Sequence, residues 1–230
     1  MSNTSFERSQ RGVVATPALR HRQAGPGCPV VVIGASTGGT VAVESIVKAL
    51  PMDGPPVVIV QHLPHYITAA FARRLDRLSA LHVEEARDGA VLKRGSAVVA
   101  PGGRQLVLER RGLDLIVSVR VGAKVNGHRP SVDVLFHSAA EAVGAEAVGV
   151  LLTGMGRDGA EGLLAMHTAG ALTLVQDEAS SVVWGMPRAA LDLGAADEVL
   201  PLNRMAARLT QAVTRSAISG RAASAWATPR

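Results

Sequence analysis

Three short runs of small apolar and β-branched residues, at 30–33, 57–60 and 148–152, set the terms for what this chain can fold into. A strand with one face in water alternates apolar and polar residues. A strand without a polar position is buried on both faces, which is the situation of a parallel sheet covered by helices. Stretches with helical spacing lie between these runs. They cover residues 40–50, 65–78 (with Phe71, Leu75 and Leu78 on one face), 131–143 with Ser131 as N-cap, 160–169 and 202–213. Residues 171–175 and 198–200 supply the last strands. The alternation predicts an α/β fold: a mostly parallel, doubly wound sheet with helices on both faces and right-handed crossovers. Between residues 81 and 119 four strand-like runs (81–85, 97–100, 105–109 and 114–119) are divided by Gly95, Gly102-Gly103 and Arg111-Gly112. The last two dividers predict antiparallel hairpins, and hence an antiparallel edge segment.

With 230 residues, 47% of them hydrophobic, the chain holds enough apolar matter for one core. Aromatics are only 3%, so that core is aliphatic. Residues 1–29 are rich in Ser, Arg, Gln, Gly and Pro without periodicity and read as a disordered basic leader. Residues 30–212 form the folded domain, and 213–230 read as a flexible basic tail. The net charge of +5 is carried by the two ends: each contributes +3, the leader through Arg8, Arg11, Arg20 and Arg22 against Glu7, the tail through Arg215, Arg221 and Arg230. The middle is left without the clustered cations and stacking aromatics of a nucleic-acid face, so no nucleic-acid partner is expected. Cys28 is the only cysteine, which rules out an intrachain disulfide. No apolar run approaches the roughly 20 residues of a membrane span, and no signal-peptide pattern opens the chain, so a cytoplasmic protein without membrane insertion is expected.

Chemistry concentrates where predicted strands end, as it does in open parallel sheets. The turn Gly34-Ala35-Ser36-Thr37-Gly38-Gly39 follows the first strand. Small neighbours permit a sharp bend that lifts the Ser36 hydroxyl clear of the backbone, the logic of a nucleophile turn, and helix-start N–H groups face the same space. An anion-binding glycine turn fits these residues equally well. His62, in Gln61-His62-Leu63-Pro64, closes the second strand and can serve as general base; a structural histidine is the plainer alternative. Asp158, in Thr153-Gly154-Met155-Gly156-Arg157-Asp158-Gly159, can orient that base, or can be a helix cap. Asp133 and Asp177 compete for the role. The remaining histidines lack metal-ligand spacing, so neither metal nor other cofactor is expected. Trp184 and Met186 read as core or lid packing, and Arg129 as a loop arginine or a contact for an acidic substrate. Three weak signals converge on one end of the sheet, and that favours a Ser–His–Asp hydrolase.

The same residues resemble the catalytic domain of the bacterial chemotaxis receptor methylesterases (CheB type). The matching stretches run in family order: Ile33 through Thr40, Gln61-His62-Leu63-Pro64, Asn126 with His128-Arg129-Pro130-Ser131-Val132-Asp133-Val134-Leu135-Phe136, residues 149–159, and residues 176–187. The resemblance implies hydrolysis of glutamate γ-methyl esters on the cytoplasmic helices of chemoreceptors, and in many members deamidation of receptor glutamines. It implies a triad at Ser36, His62 and Asp158, with Thr37 and Met155 beside the oxyanion. The family's phosphorylatable receiver domain has no room in residues 1–29, which leaves a separate regulatory protein as an expected partner. The stretch Ala100-Pro101-Gly102-Gly103-Arg104-Gln105 lacks the Asp and His usual in the family.

Overall fold

The computed structural model describes residues 30–224, with side chains to residue 213. The predicted leader at 1–29 lies outside the described residues, as do residues 225–230. The elements in chain order are β1 (Val30–Ala35), α1 (Gly39–Lys48), β2 (Val57–Gln61), α2 (His65–Leu78), β3 (His82–Glu85), β4 (Ser96–Val99), β5 (Gln105–Arg111), β6 (Asp114–Arg120) and α3 (Val132–Ala142). A 3-10 turn at Gly144–Glu146 precedes β7 (Ala147–Leu151), α4 (Ala160–Thr168), β8 (Leu172–Gln176), α5 (Gly185–Asp192), β9 (Glu198–Leu200) and α6 (Leu202–Ser224). The backbone of α6 thus continues past residue 213, where the sequence suggests a tail. No described helix is long and apolar enough to cross a membrane.

Seven strands form one sheet in the order β3-β4-β2-β1-β7-β8-β9, and every pairing in it is parallel. The apolar runs produce this directly, because β1, β2 and β7 are buried at every position. Alternate side chains feed two separate cores. Val31, Ile33, Val57, Ile59, Val148 and Val150 pack with Val43, Ile46 and Val47 of α1, Phe71 and Leu75 of α2, and Met205 and Leu209 of α6. Val30, Val32, Val58, Val60 and Leu151 pack with Leu135 and Phe136 of α3, Leu163 and Met166 of α4, and Met186 of α5. Gly34 is required by one of these contacts: a Cβ there would lie 2.2 Å from Val132 Cγ1, so only glycine lets the start of α3 settle against the end of β1.

The hairpin region corrects one expectation. β5 and β6 pair antiparallel across Gly112, as the sequence suggests, but Gly102-Gly103 does not close a hairpin. β4 instead sits parallel between β2 and β3, and the β5–β6 pair stands apart as its own two-stranded sheet. The reason lies in burial. Leu106, Leu108, Leu115 and Val117 belong to the α3-side core, so the hairpin covers that core from outside rather than extending the sheet edge. Its free edge is closed by the segment before it, through Leu92 N to Leu115 O and Val117 N to Ala90 O.

β1 lies at the centre. The chain winds outward from it through β2, then crosses back to β7 on its other side. This reversal of winding opens a crevice beyond the carboxyl ends of β1, β2 and β7.

Candidate active site

The parallel register delivers Ser36 and His62 to the crevice side by side. Ala35 pairs with Gln61, and the bond His62 N to Ala35 O (3.1 Å) carries the ladder one step further. Ser36 is tied across to the other neighbour by its N–H to Thr153 O at 3.0 Å. Gln61, itself buried, donates its Nε2 to Ser36 O at 2.9 Å and clips the turn to the end of β2. The bond Gly39 N to Ser36 O (2.8 Å) then turns the chain into α1. The loop after β7 passes close to the serine, and a Cβ on Gly154 would lie 2.8 Å from Ser36 Cβ and 2.2 Å from Met186 Sδ. No larger residue fits there.

His62 Nε2 and Asp158 Oδ2 are 2.8 Å apart, with side-chain exposures of 9% and 1%. A carboxylate only accepts, so the ring proton sits on Nε2 and the lone pair on Nδ1. Nδ1 is buried and meets no partner among the described residues. Ser36 Oγ likewise makes no hydrogen bond among them, and it does not reach His62 in this state. Such contacts commonly close only when substrate is bound.

Asp158 is held by more than the histidine. Ser131 Oγ donates to it at 2.7 Å, Val132 N at 2.7 Å and Asn126 Nδ2 at 3.1 Å. Burial pushes its carboxyl upward, but the hydrogen bonds from His62, Asn126, Ser131 and Val132 outweigh it and bring its pKa to about 2. The residue is therefore a fixed negative charge beside His62. Ser131 also caps α3, its hydroxyl accepting from Val134 N.

The rival aspartates are placed elsewhere. Asp133 accepts from Gly162 N at 2.7 Å and from Asn126 Nδ2 at 2.6 Å, joining α3 to α4 without touching His62. Burial raises its pKa, and the neighbouring Asp158 charge adds to the rise. Asp177 closes a local turn by accepting from Ser180 N at 3.0 Å. Thr37 directly follows Ser36 and Met155 directly follows Gly154, and among the described residues neither backbone N–H donates a hydrogen bond. The Met155 side chain is exposed. Trp184 reaches Gln176 O through Nε1 at 3.0 Å and stacks under Arg188, so it braces the start of α5 rather than lining the crevice.

Sequence reasoning passed over His128. Its ring lies on His62 with centroids 3.7 Å apart and planes within 5°. Burial lowers its pKa, and the His62 and Lys124 charges lower it further against the opposing pull of Asp158. Its neutral form is therefore favoured. The turn carrying it closes by Val125 N to His128 O and His128 N to Val125 O, with Asn126 and Gly127 both at positive φ. The Asn-Gly pair was the available signal: it marks a tight turn four to five residues before Ser131.

Known proteins can be set beside this geometry. The family model for CheB methylesterase matches residues 31–209. A protein-glutamate methylesterase/protein-glutamine glutaminase of Rhodospirillum rubrum is 53% identical over 186 residues, covering 81% of this chain and 51% of that protein. One from Anaeromyxobacter dehalogenans is 59% identical over 173 residues, covering 75% and 48%. The chain thus spans about half the length of the curated relatives it matches. The crystal structure of the Thermotoga maritima CheB methylesterase catalytic domain superposes with a TM-score of 0.78 at 37% identity, covering 80% of this chain and 97% of that one. A seven-stranded parallel sheet with one outlying hairpin, matched in sequence and in shape along nearly all of its described length, places the chain in the CheB methylesterase family.

Proposed function

We propose that the chain hydrolyses glutamate γ-methyl esters on the cytoplasmic domains of methylated chemoreceptors, with Ser36 as nucleophile, His62 as base and Asp158 as its orienting charge. The observation that carries this reading is the state of His62. One ring nitrogen is bound to a buried carboxylate, and the other is buried, unpartnered and one register step from the serine. The names of the relatives supply the substrate class.

Ser36 Oγ attacks the ester carbonyl and gives its proton to His62 Nδ1. The N–H groups of Thr37 and Met155 face the oxygen that becomes negative. The C–O bond to methoxide breaks, the leaving oxygen takes the proton from His62, and methanol departs. Water then attacks the glutamyl–Ser36 ester with His62 again as base, freeing Ser36 and a glutamate carboxylate. A glutamine side chain follows the same course with ammonia as leaving group, in keeping with the second half of the relatives' names. The receptor domains that carry such groups place the reaction in the cytoplasm.

The test is methanol release from methylated receptor by wild type and Ser36→Ala. Loss of release in the variant is expected; equal rates would overturn the reading. Labelling of Ser36 by a fluorophosphonate separates hydrolysis from mere receptor binding.

A further inference from the structure

A cavity of about 200 Å³ opens directly beside His62, and its other walls include Lys124, His128 and Arg129. No carboxylate lines it. Arg129 donates through Nη1 to Gly122 O at 2.7 Å, while its Nε is buried without a partner. No acidic group lies within 4.0 Å of Arg129 or Lys124 among the described residues. Two other arginines do have acidic partners: Arg120 pairs with Glu109 and Arg157 with Glu161. Two cations therefore line the cavity with no carboxylate among its walls.

The backbone that carries them is held in place. They flank the two-residue turn at Asn126 and Gly127, and Asn126 anchors that turn to both Asp133 and Asp158. A half-buried guanidinium lining a cavity is suited to a carboxylate, which a planar fork of N–H donors recognises. The nearby Asp158 is already engaged by five donors and does not compete for the guanidinium.

We infer that Lys124 and Arg129 form a subsite for a second carboxylate of the substrate, an acidic side chain next to the esterified glutamate in sequence or one helical turn away. The scissile ester is neutral, so the anion that fills this cavity comes from a different residue. The subsite rests on the catalytic reading of Ser36 and His62, and it deepens that reading by naming what flanks the ester. An acidic neighbour seated beside His62 also balances the positive charge that forms on its ring as Ser36 attacks the ester, so the subsite favours the reacting state as well as binding.

The experiment uses two peptides that carry one γ-methyl glutamate and differ only in a flanking glutamate or glutamine. Methanol release is measured with wild type, Lys124→Gln, Arg129→Gln and, as a charge control on an exposed helix end, Lys48→Gln. Wild type is expected to prefer the acidic peptide by about tenfold in kcat/KM at low salt, and Lys124→Gln to reduce that preference to about twofold. Arg129→Gln reduces it further, Lys48→Gln leaves it in place, and salt narrows it for wild type. Equal preference in wild type and Lys124→Gln, or no preference in wild type, overturns the subsite. Added acetate that blocks both peptides alike would assign the cavity to a free anion and overturn it as well. Retained hydrolysis in Ser36→Ala would instead defeat the catalytic reading, a separate outcome visible on either peptide.

Discussion

Replacing Asp158 with Asn removes one charge and changes no volume, and the surrounding geometry sets its effects. The two carboxylate oxygens accept from His62 Nε2, Asn126 Nδ2, Ser131 Oγ and Val132 N, and the site is almost wholly buried. An amide placed with its NH2 toward Val132 faces two N–H donors and forces the His62 proton onto Nδ1, where no lone pair is left for Ser36. Turned the other way, the amide keeps His62 in place but sets NH2 against the Asn126 amide and withdraws the charge that supports an imidazolium. In either orientation kcat should fall by about 10³-fold or more. Stability should change with a defined pH signature. Asp158 titrates at about 2 in the folded chain against 3.8 for a free aspartate, so the unfolded chain binds the proton first as pH falls. The stabilisation is complete above pH 4 and is lost as pH drops through 2, a change of ~2 kcal/mol. Urea unfolding of wild type and Asp158→Asn should therefore show a gap that narrows by about that amount between pH 5 and pH 2. A constant gap, or a variant retaining a tenth of wild-type kcat, would refute the assignment of Asp158 as a buried, ionised support for His62.

Asp133→Asn should cost less than about tenfold in kcat, because Asp133 touches Asn126 and Gly162 but not His62, and steady-state methanol release measures this directly. Ser131→Ala removes both a helix cap and a donor to Asp158, and should lower stability in urea by about 1–2 kcal/mol. Gly34→Ala sets a Cβ 2.2 Å from Val132 Cγ1 and should cost about 1–3 kcal/mol, read as a fall in Tm. His128→Phe keeps a flat ring against His62 whereas His128→Ala does not, so Phe should retain the larger kcat. The reverse order would remove stacking from the account.

The parallel sheet was legible because burial on both faces leaves a mark on nearly every residue of a strand, and β1, β7 and β2 as far as Val60 carry no side chain suited to water. Glycines were a poorer guide. Gly102-Gly103 and Arg111-Gly112 look alike as sequence, yet only the second joins paired strands. Gly102 is glycine for a different reason: a Cβ there would lie 2.4 Å from the His65 backbone nitrogen, so it marks a close crossing of chains. Helix α5 went unread because Gly185 and Pro187 look like loop residues. Proline at the third position of a helix costs nothing, since its missing N–H has no intrahelical acceptor there.

In the site, legibility followed distance along the chain and the kind of contact. Ser36, His62 and Asp158 could be picked out because each directly follows or closely trails a buried strand, and strand ends meet wherever a parallel sheet reverses its winding. Spacing could not choose among Asp158, Asp133 and Asp177, because that choice depends on which carboxylate the start of α3 covers. Of the three, only Asp158 accepts from Ser131 Oγ and Val132 N, and the missing Cβ of Gly34 lets α3 come near enough for this. His128 carries no periodic or spacing signal at all. Its role arises from a stack between residues far apart in sequence, set by a turn that one side-chain amide, Asn126, fastens to the carboxylate behind His62. His62 is consequently fixed from two directions, by charge along its edge and by a ring across its face, and only the first follows from the chemistry that a Ser, a His and an Asp suggest.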